Sequence, residues 1–105
     1  MSSIDEYVTD VLMPDLVGHD KRPVSFLVYL WLAAEQQRRV APVRISYQEL
    51  AESIGVSKSS AQTAVAWLVR RQLLHASKAN ATAIPVYKVL RPWRNRRSNF
   101  TRTTQ

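Results

Sequence analysis

Apolar residues recur at helical spacing through the first two thirds of the chain. In residues 4–12 they stand three or four positions apart, which predicts a short helix that Pro14 ends. The connector PDLVGHDKR follows, and Pro23 then suits the first turn of a longer helix, PVSFLVYLWLAAEQQRR. The predicted core stripe of this longer helix consists of Phe26, Leu27, Leu30, Trp31 and Ala34.

Two further helical patterns meet at the short junction IGVS. Ser46 and Glu49 form an S-x-x-E capping box that starts the first of them. Gly55 can adopt the left-handed backbone that ends this helix, and Ser57 then caps a helix over 58–72. The predicted core face of the second helix is Ala61, Ala64, Val65, Leu68 and Val69. Its opposite face holds Ser59, Thr63, Ala66 and Arg70, flanked by Ser60, Gln62 and Trp67.

After Leu74 the apolar spacing becomes strand-like. LLHASK and IPVYKVL are β-favouring runs, and ANATA between them is a turn with Asn80 as its expected apex. VRI, directly before the capping box, is a further short β segment. The pattern therefore predicts a mainly α-helical fold with a small antiparallel β-sheet, which is an α+β class.

The stretch LAESIGVSKSSAQTAVAWLVRRQLL, followed by a two-stranded ribbon, resembles a winged helix-turn-helix domain. It is similar to the DNA-binding domains of GntR-type and MarR-type bacterial transcriptional regulators and to the winged helices of some plasmid replication initiators. The residues that carry the resemblance are Leu50, Ala51, Gly55, Ser57, Ala64, Leu68 and the LL that enters the ribbon. The resemblance divides the chain into an N-terminal helix or arm (1–19), the winged-helix domain (20–93) and a basic flexible tail (94–105).

The resemblance implies that residues 58–72 form a recognition helix in the major groove of DNA. GntR-type domains often carry Arg, a hydroxyl residue and a second Arg at the positions of Lys58, Ser60 and Gln62. Lys58 can reach a phosphate or a guanine, Gln62 can pair with an adenine, and Thr63 can meet a base edge or a thymine methyl group. The implied contacts with the DNA backbone come from Ser57, Ser59, Ser60 and Arg70.

The resemblance also makes the ribbon a wing that touches the DNA backbone or the adjacent minor groove. Lys78 and Lys88 are its implied DNA contacts. The tail adds three cations that can run along phosphates or enter a minor groove, Arg94, Arg96 and Arg97. A disordered end without any DNA contact is the alternative interpretation of the tail.

Charge is divided unevenly along the 105 residues, whose net charge is +7. Up to Ser57 the chain has five basic and eight acidic residues, a balance of −3. From Lys58 onward it has ten basic residues and no acidic one, a balance of +10. An acid-free half suits a polyanionic partner, because each phosphate contact releases a counterion. A plain solubilising surface, the alternative, usually mixes both signs.

What the sequence lacks disfavours several classes of protein. The chain has no cysteine, its two histidines show no metal-ligand spacing, and its two glycines leave little room for a phosphate-binding loop. We therefore expect no metal, no cofactor and no enzymatic activity. The run FLVYLWLAA is too short to span a bilayer, and the acidic N-terminus lacks the layout of a signal peptide. The expectation is a cytoplasmic, nucleoid-associated protein without a membrane partner.

Three hypotheses about function follow from these patterns. The first is a sequence-specific double-stranded-DNA-binding protein, a transcriptional regulator that acts by occupying its site. The second is a winged-helix module of a plasmid or phage replication or partition protein. The third is a protein-interaction winged helix with Trp67 and the N-terminal segment as its partner surface, which the charge distribution disfavours. Because one such module reads only a few base pairs, a homodimer through residues 1–34 is a further hypothesis.

Overall fold

A computed structural model describes residues 6–19 and 21–92, which contain three α-helices and a three-stranded antiparallel β-sheet. Two π-helical segments come first, Val8–Leu12 and Pro14–His19. The other elements are α1 (Pro23–Arg39), β1 (Val43–Arg44), α2 (Tyr47–Ile54), α3 (Lys58–Arg70), β2 (Leu74–Ser77) and β3 (Val86–Val89). The predicted α+β class, mainly helical with a small antiparallel sheet, is confirmed. No helix within the described ranges is both long enough and apolar enough to cross a membrane.

The N-terminal segment is helical on both sides of Pro14, so the prediction that Pro14 ends the helix and opens a connector is wrong. Val8, Leu12 and Leu16 stand four residues apart across the proline, and all three are buried in the core. The carbonyl of Leu16 also accepts a hydrogen bond from the amide of Arg22 at 2.6 Å. Packing of this apolar stripe overrides the local preference for a break, because most helical stability in proteins comes from tertiary contacts.

The buried face of α1 differs from the predicted stripe. Its buried residues are Ser25, Phe26, Val28, Tyr29, Leu32, Ala33 and Glu35. Of the predicted stripe, Phe26 is buried, whereas Leu30 and Trp31 are half-buried. Leu27 and Ala34 are exposed. A run of consecutive apolar residues fits several helical stripes, so periodicity alone did not select the buried one.

Two hydrogen bonds fix which side of α1 faces the sheet. The hydroxyl of Tyr29 donates to the carbonyl of Leu90 at 2.9 Å, and the amide of Val89 donates to Gln36 Oε1 at 2.7 Å. Tyr29 and Gln36 stand seven residues apart and therefore lie on one face of the helix, two turns from each other. This face of α1 lies against the end of β3.

The sheet has the strand order β1-β3-β2, and all its pairs are antiparallel. On β3, Tyr87 is paired with Val43 on one side and with Ala76 on the other, and its side chain is fully buried. Burial raises the pKa of the Tyr87 hydroxyl well above its ordinary value, so the phenol stays neutral. The next residue, Lys88, is exposed and lies directly across from His75. One face of the sheet therefore packs on the helices, and the other faces solvent.

Candidate nucleic-acid interface

The junction between α2 and α3 is built by caps that the sequence predicted. Ser46 Oγ accepts a hydrogen bond from the amide of Glu49 at 3.1 Å, and Glu49 Oε1 accepts one from the amide of Ser46 at 3.4 Å. Gly55 has a φ of 92° and donates its amide to Ala51 O at 2.8 Å, which closes α2. Ser57 Oγ then accepts from the amide of Ser60 at 3.1 Å and opens α3. The predicted capping box, the left-handed Gly55 and the Ser57 cap are all confirmed.

The exposed side of α3 is mostly polar and carries no acidic side chain. Its exposed residues are Lys58, Ser59, Gln62, Thr63, Ala66, Val69 and Arg70, and its buried residues are Ala61, Ala64, Val65, Trp67 and Leu68. One position differs from the prediction, since Val69, assigned to the core, is 40% exposed. Trp67 falls on the flank of the outer face by helical periodicity, where packing is the favoured interpretation, and it is 9% exposed. The orientation of α3 buries the Trp67 indole and leaves Val69 exposed. A buried indole removes much more apolar area from water than a buried valine side chain does.

The predicted DNA contacts on α3 fall into two groups. Lys58, Gln62 and Thr63 project from the first two turns, whereas Arg70 lies about 18 Å beyond Lys58 along the helix axis. Ser57 and Ser60 are already engaged with each other, because the Ser57 hydroxyl donates to Ser60 Oγ at 2.9 Å. The N-terminal end of α3 thus presents Lys58, Gln62 and Thr63 together, and its C-terminal end presents Arg70.

The hairpin between β2 and β3 contains the two predicted wing cations. Asn80 is at its apex as predicted, since Asn80 Oδ1 accepts hydrogen bonds from the amide and the hydroxyl of Thr82, both at 3.0 Å. Lys78 is exposed, and its Nζ donates to Ala81 O at 3.5 Å. Lys88 is exposed on the outer face of the sheet rather than at the hairpin tip. The two cations therefore lie on different parts of the ribbon.

Arg44 in β1 is a further exposed cation, and it was not among the predicted DNA contacts. Arg44 is exposed and lies directly across from Val86. Directly paired residues point to the same face, and Lys88 stands two positions after Val86, so Arg44 and Lys88 share the outer face. The alternation in VRI, with an apolar residue on either side of Arg44, was the signal for this placement.

A groove of about 290 Å³ separates the first turn of α1 from the first two turns of α3. Lys21 and Arg22 line it from the α1 side, and Ser59, Ser60 and Thr63 line it from the α3 side. Lys21 and Arg22 were not among the predicted DNA contacts, and both belong to the part of the chain whose net charge is negative. The fold brings these two cations beside the exposed side of α3. The only sequence signal was KRP at a predicted helix start.

Trp67 contacts Arg22, one of the residues that line this groove. The guanidinium carbon of Arg22 lies 5.3 Å from the centre of the Trp67 ring, and that of Arg71 lies 4.9 Å from it. Both distances are within the range of cation–π attraction. Arg71 Nη2 is also 3.8 Å from Asp15 Oδ2 in the N-terminal segment. Trp67 is therefore packed within the chain, where it holds α3 against the start of α1.

The three predicted DNA contacts of the basic tail, Arg94, Arg96 and Arg97, lie outside the described residues. Within the described ranges, no group of three or more His, Cys, Asp or Glu side chains is placed to hold a metal ion. The predicted homodimer region carries exposed apolar side chains, Val11, Met13, Val17 and Leu27. The homodimer itself stays a prediction.

No protein-family model matches the chain, and no curated protein or solved structure matches it either. The exposed surface around α3 offers cations and hydroxyl groups, which donate to phosphate oxygens, beside a glutamine amide that can both donate to and accept from a base edge.

Proposed function

We propose that the protein binds double-stranded DNA with the exposed side of α3 in the major groove. The observation that carries this proposal is the geometry of that side, where Lys58, Gln62 and Thr63 project together from a helix held by its other side in the core. Lysine suits guanine or phosphate, glutamine suits the adenine edge, and the threonine methyl suits thymine. Their small neighbours Ser59 and Ala66 allow the helix to approach a groove floor closely.

The order of the elements supports a winged helix-turn-helix assignment. A helix, a tight turn with Gly55, a second helix and a two-stranded ribbon follow one another directly in the chain. In such a domain α3 is the recognition helix, α2 supports it across the backbone, and the β2–β3 hairpin is the wing. Lys78 in this hairpin is then placed for the DNA backbone or the adjacent minor groove.

Charge supports the same partner. The chain from Lys58 onward contains no carboxylate side chain, and Lys21 and Arg22 stand next to α3 in space. A positive surface raises the rate of encounter with a polyanion and supplies affinity that does not depend on sequence. We propose that the protein regulates transcription by occupying its site, and the replication or partition hypothesis uses the same interface.

The proposal is tested by the binding of a random-sequence duplex at two salt concentrations. Affinity is expected to fall steeply with salt, because bound cations displace counterions from the phosphates. Lys58→Ala and Arg70→Ala are each expected to weaken binding and to reduce the salt slope by about one. The matched control is Arg38→Ala, which removes an exposed cation at the far end of α1. If both α3 variants bind with the affinity and salt slope of the unaltered protein, the assignment of α3 to the groove is wrong.

A further inference from the structure

The outer side of α1 is apolar over its first three turns. No charged side chain lies between Pro23 and Ala34, and the two hydroxyl residues of this stretch, Ser25 and Tyr29, are both buried. A helix with apolar residues on all its sides is normally covered on all of them. Within the described ranges, the rest of the chain packs on one side of α1 and leaves the other side partly open.

The apolar residues of this open side form a stripe with the spacing of a helix that pairs with another helix. Val24, Leu27, Trp31 and Ala34 stand three, four and three residues apart. Leu27 is 45% exposed, Ala34 is exposed, and Val24 and Trp31 are half-buried. Leu30 is half-buried at the edge of this side. These five residues, here called the α1 stripe, are a surface that fits an apolar helix from outside the described fold.

The sizes of the side chains suit a second copy of the same helix that runs antiparallel. In such a pair, a two-fold axis between residues 30 and 31 places Leu27 of each copy across from the partner's Ala34. A large side chain then lies over a small one in both halves of the contact. Trp31 lies next to the partner's Leu30, close to the axis. The stripe is therefore complementary to itself.

Charge favours the antiparallel direction over the parallel one. Arg38 is exposed one turn beyond the α1 stripe, so a parallel pair would bring two Arg38 side chains together. The antiparallel pair separates them by about 22 Å along the axis, well beyond the screening length of about 8 Å at physiological salt. It also places the positive end of each helix dipole beside the negative end of the other. Glu35 contacts both Arg38 and Arg39, so the cations at this end are paired within the chain.

We propose that the α1 stripe is the contact surface of a symmetric dimer, in which a second copy of this chain packs its own α1 antiparallel against it. The stripe is about 15 Å long and about one helix, or 10 Å, wide. Two such surfaces bury less than the roughly 1,200 Å² of a permanent interface, so the dimer forms and dissociates with concentration.

A dimer of this kind would carry two α3 helices. That both of them meet one two-fold DNA site rests on the proposed function. The experiments that follow contain no DNA, so they decide on the dimer even if the proposed function fails.

The first experiment measures the mass of the full chain by sedimentation equilibrium from about 1 µM to about 1 mM. The mass is expected to rise from one chain to two. Leu27→Glu is expected to raise the dissociation constant about tenfold or more, because its carboxylate would lose water against the partner's Ala34. The fold is expected to remain, since position 27 is 45% exposed and glutamate favours helix. Circular dichroism checks this.

The matched control is Ile84→Glu, which places the same charge at an apolar position of the hairpin that is 44% exposed. It is expected to dimerise like the unaltered protein. The proposal is overturned if the chain keeps the mass of one copy at about 1 mM, because another part of the chain or another protein then covers the stripe. It is also overturned if the two variants weaken the dimer equally.

A second experiment tests the antiparallel direction by disulfide cross-linking, since the chain has no cysteine of its own. A mixture of Leu27→Cys and Ala34→Cys proteins, one of them with a mass tag, is expected to form the mixed disulfide fastest. Leu27→Cys alone is expected to cross-link slowly, because the two positions are about 10 Å apart along the axis. Ser53→Cys, exposed on α2, sets the rate of random collision. Faster cross-linking of Leu27→Cys with itself overturns the antiparallel pairing, and a mixed disulfide no faster than that of Ser53→Cys overturns the contact.

Discussion

Trp67→Ala is expected to lower the free energy of unfolding by about 3–5 kcal/mol, the usual range for truncating a buried tryptophan. The indole is 9% exposed, and the guanidinium carbons of Arg22 and Arg71 lie 5.3 Å and 4.9 Å from the centre of its ring. Its removal leaves a cavity behind α3 and takes away two cation–π contacts. Because small domains are stable by only about 5–15 kcal/mol, the variant is expected to be close to unfolding. Chemical denaturation followed by far-ultraviolet circular dichroism measures the loss.

Trp31→Ala is the matched control for this prediction. Trp31 belongs to α1 and is only partly buried against the core, so its truncation is expected to cost about 1–2 kcal/mol, below the value for full burial. Trp67→Phe is expected to retain part of the lost stability, because a smaller ring still fills part of the space. A cost for Trp67→Ala no larger than that for Trp31→Ala would show that Trp67 does not hold α3 in place.

The double variant Lys58→Ala/Gln62→Ala is expected to lose specific DNA affinity by roughly thirtyfold to several hundredfold. A bidentate base contact is worth about 1–3 kcal/mol and a charged phosphate or guanine contact contributes about 1 kcal/mol more. Both side chains are exposed on α3, and alanine favours helix, so the fold is expected to remain intact. Fluorescence anisotropy with a duplex selected from a random pool measures the change.

Gln37→Ala/Arg38→Ala removes the same kinds of side chain, one glutamine and one cation, from exposed positions at the end of α1. Its affinity for the selected duplex is expected to stay within about twofold of the unaltered protein, because distant surface charges contribute little at physiological salt. Equal losses in the two double variants would mean that the effect is one of overall charge and does not come from α3.

The features that depended on neighbouring residues were predicted correctly from the sequence. The capping box of Ser46 and Glu49, the left-handed Gly55 and the cap at Ser57 each involve groups no more than four residues apart. Their chemistry is complete within about one turn of helix. The Asn80 turn is of the same kind, since its hydrogen bonds reach only to Thr82. The tight junction that orients α3 could therefore be inferred from the order of residues alone.

The features that depended on distant residues were not predicted. Which side of α1 is buried is decided in part by its contacts with the end of β3, through Tyr29 and Gln36. The partner of Trp67 was not predicted either, because Arg22, whose guanidinium carbon lies 5.3 Å from the centre of the ring, stands 45 residues earlier in the chain. The groove could not be predicted either, because its two walls are about forty residues apart in the chain. The spacing of apolar residues shows that one face of a helix is apolar. It does not show which part of the chain packs against that face.

The contact between α3 and DNA is tested most directly by cleaving the DNA from a single position on the helix. The chain has no cysteine, so Thr63→Cys provides one attachment point for a DNA-cleaving iron chelate, and Gln37→Cys provides a matched point on α1. On a selected duplex, the conjugate at position 63 is expected to cut within the bound site, and the conjugate at position 37 is expected not to cut there. Cleavage of equal yield from both positions, or binding of the position-63 conjugate without cleavage, would contradict the placement of α3 in the groove.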